Sequence, residues 1–503
     1  MVQANGKTLK KIGGMPYPKD YVVQQLGNKL IYDELNYDKN HLHREYVQLY
    51  ATLTDEQRVI FHKITDAVKF GKGGVFFLYG YGGTGKTFMW RTLAAFFRSK
   101  GEIVLTAASS GIASLLIPGG RRAHSKFKIP VPTMENSTCN LDGDGDHAHL
   151  FQQTKLIIWD EAPMCHKYCF ETLDRTLQDV MSVKGNSDLI FGGKVVVFGG
   201  DFRQILPVIP RGSRSDIVHS SINASYIWDH CEVLTLTKNM RLNDALQGTD
   251  SEEVANFSKW ILKVGEGKLS EPNDGNAEIE IPEDLLIPTS DNPIKSIVDS
   301  TYPNFLQNFA DVSYLDSKAI LASTIEVVDE INDYMLSIMP GEQRDYLSSN
   351  SVDMSDVNDP GIYEAITPEF LNSLRTSGLP NHHIKLKIGT PIMLMRNLDQ
   401  AEGLCNGTRL IITKMADHVI EGKIMSGKHA GNVTYIARMT TSPSQSPWPF
   451  KLSRTQFPIV VSYAMTINKV KSKKGLKILI NNGNSDEPNS TTNVVFKEIF
   501  HNL

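Results

Sequence analysis

The sequence predicts an α/β protein: a parallel sheet with helices on both faces, then a second α/β region that carries a small β-barrel. Three observations lead to this. Short, nearly continuous apolar runs at Val75–Tyr79, Ile103–Ala107, Leu156–Trp159, Val195–Phe198 and Val233–Leu236 alternate with helical periodicity. Runs of this kind suit strands buried on both faces, and their alternation with helices implies parallel pairing. The first run leads directly into Gly80-Tyr81-Gly82-Gly83-Thr84-Gly85-Lys86-Thr87, which completes G-x-x-x-x-G-K-[ST] between a strand and a helix. Later, Ile384–Ile388, Pro391–Arg396, Thr408–Lys414, Val419–Ile424 and Val433–Arg438 are short strands separated by turns such as Cys405-Asn406-Gly407.

Taken in order, residues 1–48 are polar, with a helical patch around Tyr21 to Leu35, and are expected to form an N-terminal arm. Thr54 suits a helix N-cap, with Asp55 and Glu56 in the first turn. After the glycine-rich loop, Met89, Trp90, Leu93, Phe96 and Phe97 mark one apolar helix face, and Gly101 sits where a C-cap glycine belongs. From about Asn243 the pattern loosens. A strand at Ala319–Leu321 and a helix through Val327–Ile338 open the second region, and Gly341–Pro368 reads as a polar connecting segment. Buried-strand character returns at Phe457–Ile467 and Leu476–Ile480.

The totals constrain function. A chain of 503 residues, 41% hydrophobic and 21% charged, has ample length for several cores. A net charge of −4 argues against a uniformly basic nucleic-acid binder but leaves room for a local basic groove. No apolar run is long enough to span a bilayer, and the N-terminus has no signal-peptide character. Five cysteines suggest reduced thiols in a cytosolic or nuclear protein, and Cys165, His166 and Cys169 lack a second pair at zinc-module spacing.

The chemistry concentrates at strand ends. Glycines at 80, 82, 83 and 85 let the backbone N–H groups of the loop turn inward on a phosphate, and the helix N-terminus adds positive potential. Lys86 reaches the β and γ phosphates and the Thr87 hydroxyl ligates Mg²⁺, so ATP with Mg²⁺ is the expected ligand. Lys155–Trp159 ends in Asp160 and Glu161, the first suited to hold the metal and the second to polarise the attacking water. A second carboxylate favours hydrolysis over phosphate transfer to a small acceptor. Gln204, after Gly199-Gly200-Asp201-Phe202-Arg203, is placed to contact the γ-phosphate or that water. Arg241 is expected to enter the cleft from the lobe junction. Ser109 and Ser110 lie at one end of the first lobe, and the basic stretch Arg121 to Lys128 with His124, Ser125 and Phe127 suits phosphate contacts and a stacking surface for single-stranded nucleic acid.

Together these residues resemble the petite-integration-frequency (PIF) type of superfamily-one helicase, most closely its Helitron-transposon relatives in plants. Leu53-Thr54 with Gln57 is similar to the family's adenine-reading motif, and Gly80–Thr87 to motif one. Thr106–Gly111 and Gly120–Phe127 resemble two DNA-contacting motifs, Trp159–Met164 motif two, Gly199–Val208 motif three and Leu236–Arg241 motif four. Leu374–Pro380 through Asn406–Leu410 resembles an inserted β domain, and Pro449–Leu452 through Ala464–Lys469 the entry to motif five, with Thr466, Asn468 and Lys469 as DNA contacts. The resemblance implies a P-loop NTPase with two RecA-like parallel-sheet lobes and a small inserted SH3-like β domain. On that reading residues 49–243 form the first lobe, 244–370 and 450–503 the second, and 371–449 the insertion. It further implies ATP-dependent 5′-to-3′ unwinding of single-stranded or tailed duplex DNA by a nuclear protein, monomeric and without a membrane, in repair, recombination and telomere maintenance. One departure matters. Past Asn468-Lys469 the chain runs straight into Val470-Lys471-Ser472-Lys473-Lys474-Gly475, so most of motif five and all of motif six, with its arginine, are absent. A weakened, transposon-derived ATP- and DNA-binding protein that does not unwind is the alternative expectation.

Overall fold

The structure is a computed structural model and describes residues 28–141, 145–183, 185–186, 188–240, 251–270, 273–288, 290–353, 366–376, 378–399, 402–427, 429–443, 448, 450–466, 476–480 and 490–502. The chain divides into two compact units that part at Arg241/Leu242.

The first unit is built on a six-stranded sheet in the order β3-β2-β4-β5-β1-β6. Its strands are β1 (Gly74–Tyr79), β2 (Ile103–Ala108), β3 (Arg121–Arg122), β4 (Thr154–Asp160), β5 (Val195–Gly200) and β6 (Cys231–Thr235), all parallel. Five match the apolar runs. The sixth, β3, is two exposed arginines at the sheet edge, which carry no apolar signal to read. Side chains alternate between faces, as the pleat requires. Phe76, Leu78, Val104, Leu156, Ile158, Val195 and Val197 face one core, with helices α3 (Asp55–Lys69) and α4 (Lys86–Ser99) laid over them. On the opposite face Phe77 stacks on Phe202 at 5.1 Å, and Trp159 packs against Phe170 and Phe198.

The N-terminal segment is not a separate arm where it is described. Helices α1 (Lys29–Leu35) and α2 (Lys39–Ala51) dock onto the first unit. Tyr46 of α2 meets Phe96 of α4 at 5.0 Å and Phe61 of α3 at 6.0 Å, and Glu45 pairs with Arg91 at 2.8 Å. Glu34 of α1 pairs with Lys126. Polar composition hid this docking, because Tyr46, Tyr50 (5.4 Å from Phe61) and two charged pairs carry it instead of an aliphatic stripe.

The second unit holds no second large parallel sheet among the described residues. Its parallel pairing is a two-stranded piece, β8 (Ile320–Ala322) with β19 (Ala464–Thr466), backed by a helix over Ile325–Ile338, and a single bridge between Leu286 and Ile478. A β region follows. Strands β12 (Pro391–Leu394), β13 (Arg409–Met415), β14 (Val419–Ile424), β15 (Val433–Ala437) and β18 (Ile459–Val461) form an antiparallel sheet in the order β15-β14-β13-β12-β18. Two differences from expectation stand out. The β region extends past 449 to include β18, and the presumed connector contributes β9 (Arg344–Leu347) and β10 (Ser349–Asp353). β9 pairs with β11 (His383–Leu386), and β7 (Asn276–Glu280) with β20 (Ser490–Val494). β10 and β16 (Met439–Thr441) both pair with β17 (Lys451–Gln456), whose Arg454 is fully buried and donates to Asn350, Pro380, Leu371 and Leu374 oxygens at 2.7–3.2 Å. A buried guanidinium satisfied mainly by backbone carbonyls leaves no hydrophobic pattern in β10.

If α2 is integral, Tyr46→Ala should destabilise the protein by about 2 kcal/mol, because a half-buried ring is lost from an aromatic cluster. Urea denaturation measures this; an unchanged midpoint would mean the helix is an appendage.

Candidate functional site

The six parallel strands place all their carboxyl ends along one edge of the sheet, and the polar residue following each strand falls into that row. The loop after β1 lies between those after β5 and β6: the Gly80 N–H reaches Gly200 O at 3.4 Å, and the Leu236 N–H reaches Tyr79 O at 2.8 Å. Gly83 (φ 100°) and Gly85 (φ 91°) take left-handed backbone, which turns the loop onto the N-terminus of α4. Gly80 is glycine for space, since a Cβ would lie 2.5 Å from Thr84 Oγ1 and 3.2 Å from Leu236 Cβ. A Cβ on Gly82 would meet nothing within 4 Å, so that position leaves the mouth of the loop open. Thr84 is buried and its hydroxyl donates to Tyr81 O at 2.9 Å. Lys86 is buried and its ammonium donates to the Gly80 carbonyl, so the side chain bridges the loop. Thr87 follows in the first turn of α4.

Gln57 supports this loop. Its Oε1 accepts from Thr54 N at 3.1 Å, closing the capping box at the start of α3, and its Nε2 donates to Thr84 O at 3.3 Å. In this arrangement the amide holds the phosphate loop, and reading a base would take an exchange of these bonds.

Asp160 ends β4 with 5% exposure; the Trp90 indole and the Glu161 N–H approach its carboxylate, but no donor among the described residues meets its Oδ1 in hydrogen-bond geometry. Burial pushes its carboxyl above the usual carboxylate range, Glu161 adds to that rise and Lys86 opposes it. A buried polar atom without a partner ordinarily costs about 1–3 kcal/mol, more when charged. An oxygen of this kind near the loop that ends in Lys86-Thr87 fits a divalent cation, which prefers such hard donors. Glu161 is 7% exposed and held in left-handed backbone (φ 54°, ψ 37°), an uncommon state for a residue with a side chain. Such strain concentrates at working sites. After β5, the Gln204 N–H donates to Asp201 O at 3.1 Å, while the buried Gln204 Oε1 has no hydrogen-bond partner among the described residues. Lys86, Asp160, Glu161 and Gln204 therefore line one sheet edge, with two oxygens left open to a ligand, a cation or a water. Arg241 lies outside the described residues.

The nucleic-acid residues divide. The Ser109 hydroxyl accepts from the Trp159 indole N–H at 3.0 Å, and the Ser110 hydroxyl caps the short helix over Gly111–Leu115 by accepting from Ala113 N at 3.1 Å. Both side chains brace the sheet edge. Ser125 is exposed on a short helix, as is Thr466 at the end of β19 in the second unit. Phe127 corrects the expectation of a stacking surface: it is fully buried against Phe151 and Trp159. Its apolar ring closes the core under the basic stretch, and the neighbouring Lys126 is buried against Glu34. His124 is half-buried, with Nε2 3.7 Å from Cys169 Sγ; burial and the Arg122 charge push it down to about 4. Asn468 and Lys469 lie outside the described residues. The five cysteines are free, and the described residues include no His, Cys, Asp or Glu group able to hold a metal ion by itself.

Sequence reading missed the bracing of the loop by Glu56, whose carboxylate accepts from Thr237 N and Oγ1 at 2.9–3.1 Å, and by Tyr81, whose hydroxyl donates to Thr237 O at 2.8 Å. Glu56 reads as a first-turn acid, and nothing in its spacing announces a partner 181 residues away.

Phe127→Ala should cost about 3–5 kcal/mol in urea denaturation, the loss expected of a core ring and not of a surface platform. His124 gives a pH test. The unfolded chain takes up a proton near pH 6.5 that the folded chain refuses until about 4. Stability is therefore intact above that window and falls as pH drops through it. His124→Gln should flatten that slope in urea midpoints measured between pH 7 and 5.

Comparison with known proteins places these observations. A model of the PIF1-like helicase family matches residues 52–275, and a model of the 2B domain of DNA helicase Pif1 matches residues 369–415. The ATP-dependent DNA helicase PIF1 of Xenopus laevis is 24% identical over 405 residues, covering 78% of this chain and 52% of the relative. PIF4 of Trypanosoma brucei brucei is 31% identical over 142 residues, 27% of this chain and 16% of the relative. The chain spans about half the length of the first of these. Among solved structures, a Pif1 helicase studied at forked duplex DNA and a Bacteroides Pif1 bound to single-stranded DNA each align with a TM-score of 0.53, at 23% and 22% identity over 82% of both chains. The fold is thus that of Pif1 helicases, an α/β RecA-like phosphate-loop architecture, and the chain belongs to the PIF1-like helicase family.

Proposed function

We propose that this protein is an ATP-dependent DNA helicase that couples Mg²⁺-ATP hydrolysis to 5′-to-3′ movement along single-stranded DNA and unwinding of tailed duplexes. The observation that carries this is the row of Lys86, Asp160, Glu161 and Gln204 at one sheet edge, with the Asp160 and Gln204 oxygens unpartnered. In this reading the amides of Gly82–Gly85 and the Lys86 ammonium hold the β and γ phosphates. The Thr87 hydroxyl and Asp160 hold Mg²⁺, which when bound neutralises charge on the phosphates. Glu161 takes the proton of the attacking water, and Gln204 orients that water. Arg241 supplies a further cation to the γ-phosphate. Ser125, Thr466, Asn468 and Lys469 contact the DNA strand, with the sheet-edge backbone around Ser109, Ser110 and His124. Names of the relatives support the activity: ATP-dependent DNA helicases, and structures with single-stranded and forked DNA. We place the protein in the nucleus, acting as a monomer in repair, recombination and telomere maintenance.

A second reading has its own observation. Among the described residues the parallel pairing of the second unit is one two-stranded piece and a bridge between Leu286 and Ile478, and after Lys469 the sequence continues Val470-Lys471 where the family resemblance implies the rest of motif five and the arginine of motif six. On this reading the chain binds ATP and DNA without unwinding.

Lys86→Ala should lower single-stranded-DNA-stimulated ATP hydrolysis by about 10²-fold or more, as loss of a charge-stabilising donor does. Asp160→Asn should do the same and raise the Mg²⁺ concentration needed for half-maximal hydrolysis. A hydrolysis rate indifferent to single-stranded DNA sinks the helicase reading. Unwinding of a 5′-tailed duplex by the unaltered protein sinks the second.

A further inference from the structure

We propose that Arg203 is a positioning residue that ties Gln204 to the phosphate loop through Tyr79 and Tyr81. Two consecutive side chains after β5, Phe202 and Arg203, reach back to β1 and its loop. Phe202 stacks on Phe77 at 5.1 Å and lies 6.4 Å from Tyr79. The Arg203 guanidinium sits 5.3 Å from the Tyr79 ring centroid and 5.9 Å from that of Tyr81. Gln204 comes next, with its unpartnered amide oxygen. Arg203 is held from behind: its backbone N–H and its Nη1 both meet Asp201 Oδ1, at 3.1 and 3.2 Å, and the same Asp201 accepts the Gln204 N–H on its carbonyl. Both charges are largely buried, at 13% and 6% side-chain exposure.

Tyr81 is anchored in turn. Its hydroxyl donates to Thr237 O, and Thr237 is gripped by Glu56, the residue before the loop-supporting Gln57. The two tyrosines and Arg203 therefore form one connection between the start of the phosphate loop and the Gln204 turn. A planar guanidinium suits this: it presents a flat cationic face to an aromatic ring while its edge bonds a carboxylate. A lysine ammonium keeps the charge but offers no such plane. The role is orientation: Arg203 sets where the Gln204 amide stands when the nucleotide arrives, and a misplacement of about 1 Å in such a group costs up to about 10²-fold in rate.

The inference rests on the ATP-hydrolysis reading above, and the test separates the two. Steady-state hydrolysis of ATP with single-stranded DNA is measured for the full chain and for Arg203→Lys, Tyr81→Leu, Tyr81→Phe and the Arg203→Lys/Tyr81→Leu double variant. Arg203→Lys and Tyr81→Leu should each lower kcat by about tenfold while KM for ATP stays within about twofold. The double variant should be no worse than either single one, because both break one connection. Tyr81→Phe, which keeps the ring, should retain most of kcat. Losses that multiply in the double variant, or that appear in KM and not in kcat, overturn the proposal, as does a Tyr81→Phe variant as slow as Tyr81→Leu. No hydrolysis by the unaltered protein overturns the ATPase reading and this inference with it.

Discussion

The corner where β1, β4 and β5 end depends on two glycines. A Cβ on Gly199 would lie 2.3 Å from the Trp90 ring and 3.2 Å from Asp160 Oδ1; one on Gly200 would lie 2.2 Å from Pro163. Real Cβ atoms do not tolerate such contacts, so the absence of two side chains sets how closely β5 can pass the Asp160 carboxylate and the helix that carries Lys86. Everything proposed for the site follows from that approach: a catalytic group must stand within hydrogen-bond reach of the atom it serves.

The same closeness explains the electrostatics. The sheet edge is dry, so Asp160 is uncomfortable as an anion, and Glu161 beside it makes matters worse. Lys86 offsets part of this. A bound divalent cation would supply the missing positive charge and screen both carboxylates from the phosphates it carries, so the apparent flaw of an unpartnered buried oxygen is the property that selects the ligand. Gln204 follows similar logic with a neutral group. Gln57, Thr84, Ser109 and Ser110 each have their side chains committed to protein partners, which leaves the Asp160 and Gln204 oxygens for a ligand.

The basic stretch from Arg121 to Lys128 has two sides. Arg121, Arg122, Ser125 and Lys128 are exposed, while Lys126 and Phe127 face inward, Lys126 against Glu34 and Phe127 into the core. A linear string of cations looks like a uniform surface, but a five-residue helix turns Ala123, Lys126 and Phe127, at i, i+3 and i+4, inward. The docking of α1, which supplies Glu34, makes room for a buried lysine there.

The phosphate loop, the carboxylate pair and five of the six sheet strands were legible because each is written locally: glycines at set spacing, an apolar run, a polar residue at its end. The antiparallel strands from Pro391 to Ala437 were legible for the same reason. What tertiary structure alone decided involves partners far apart in the chain. Glu56 finds Thr237, Arg454 finds carbonyls near residues 371–380, and Gln57 divides its amide between its own helix cap and the loop. No spacing rule encodes such pairs, because hydrogen-bond partners of a long polar side chain are chosen by what the packed backbone brings within about 3 Å. β9 and β10 were hidden for a related reason, since their strand character comes from the neighbours they pair with and not from alternation of their own. Sequence determined which chemistry was available at each strand end; packing decided which of those groups remained free to use it.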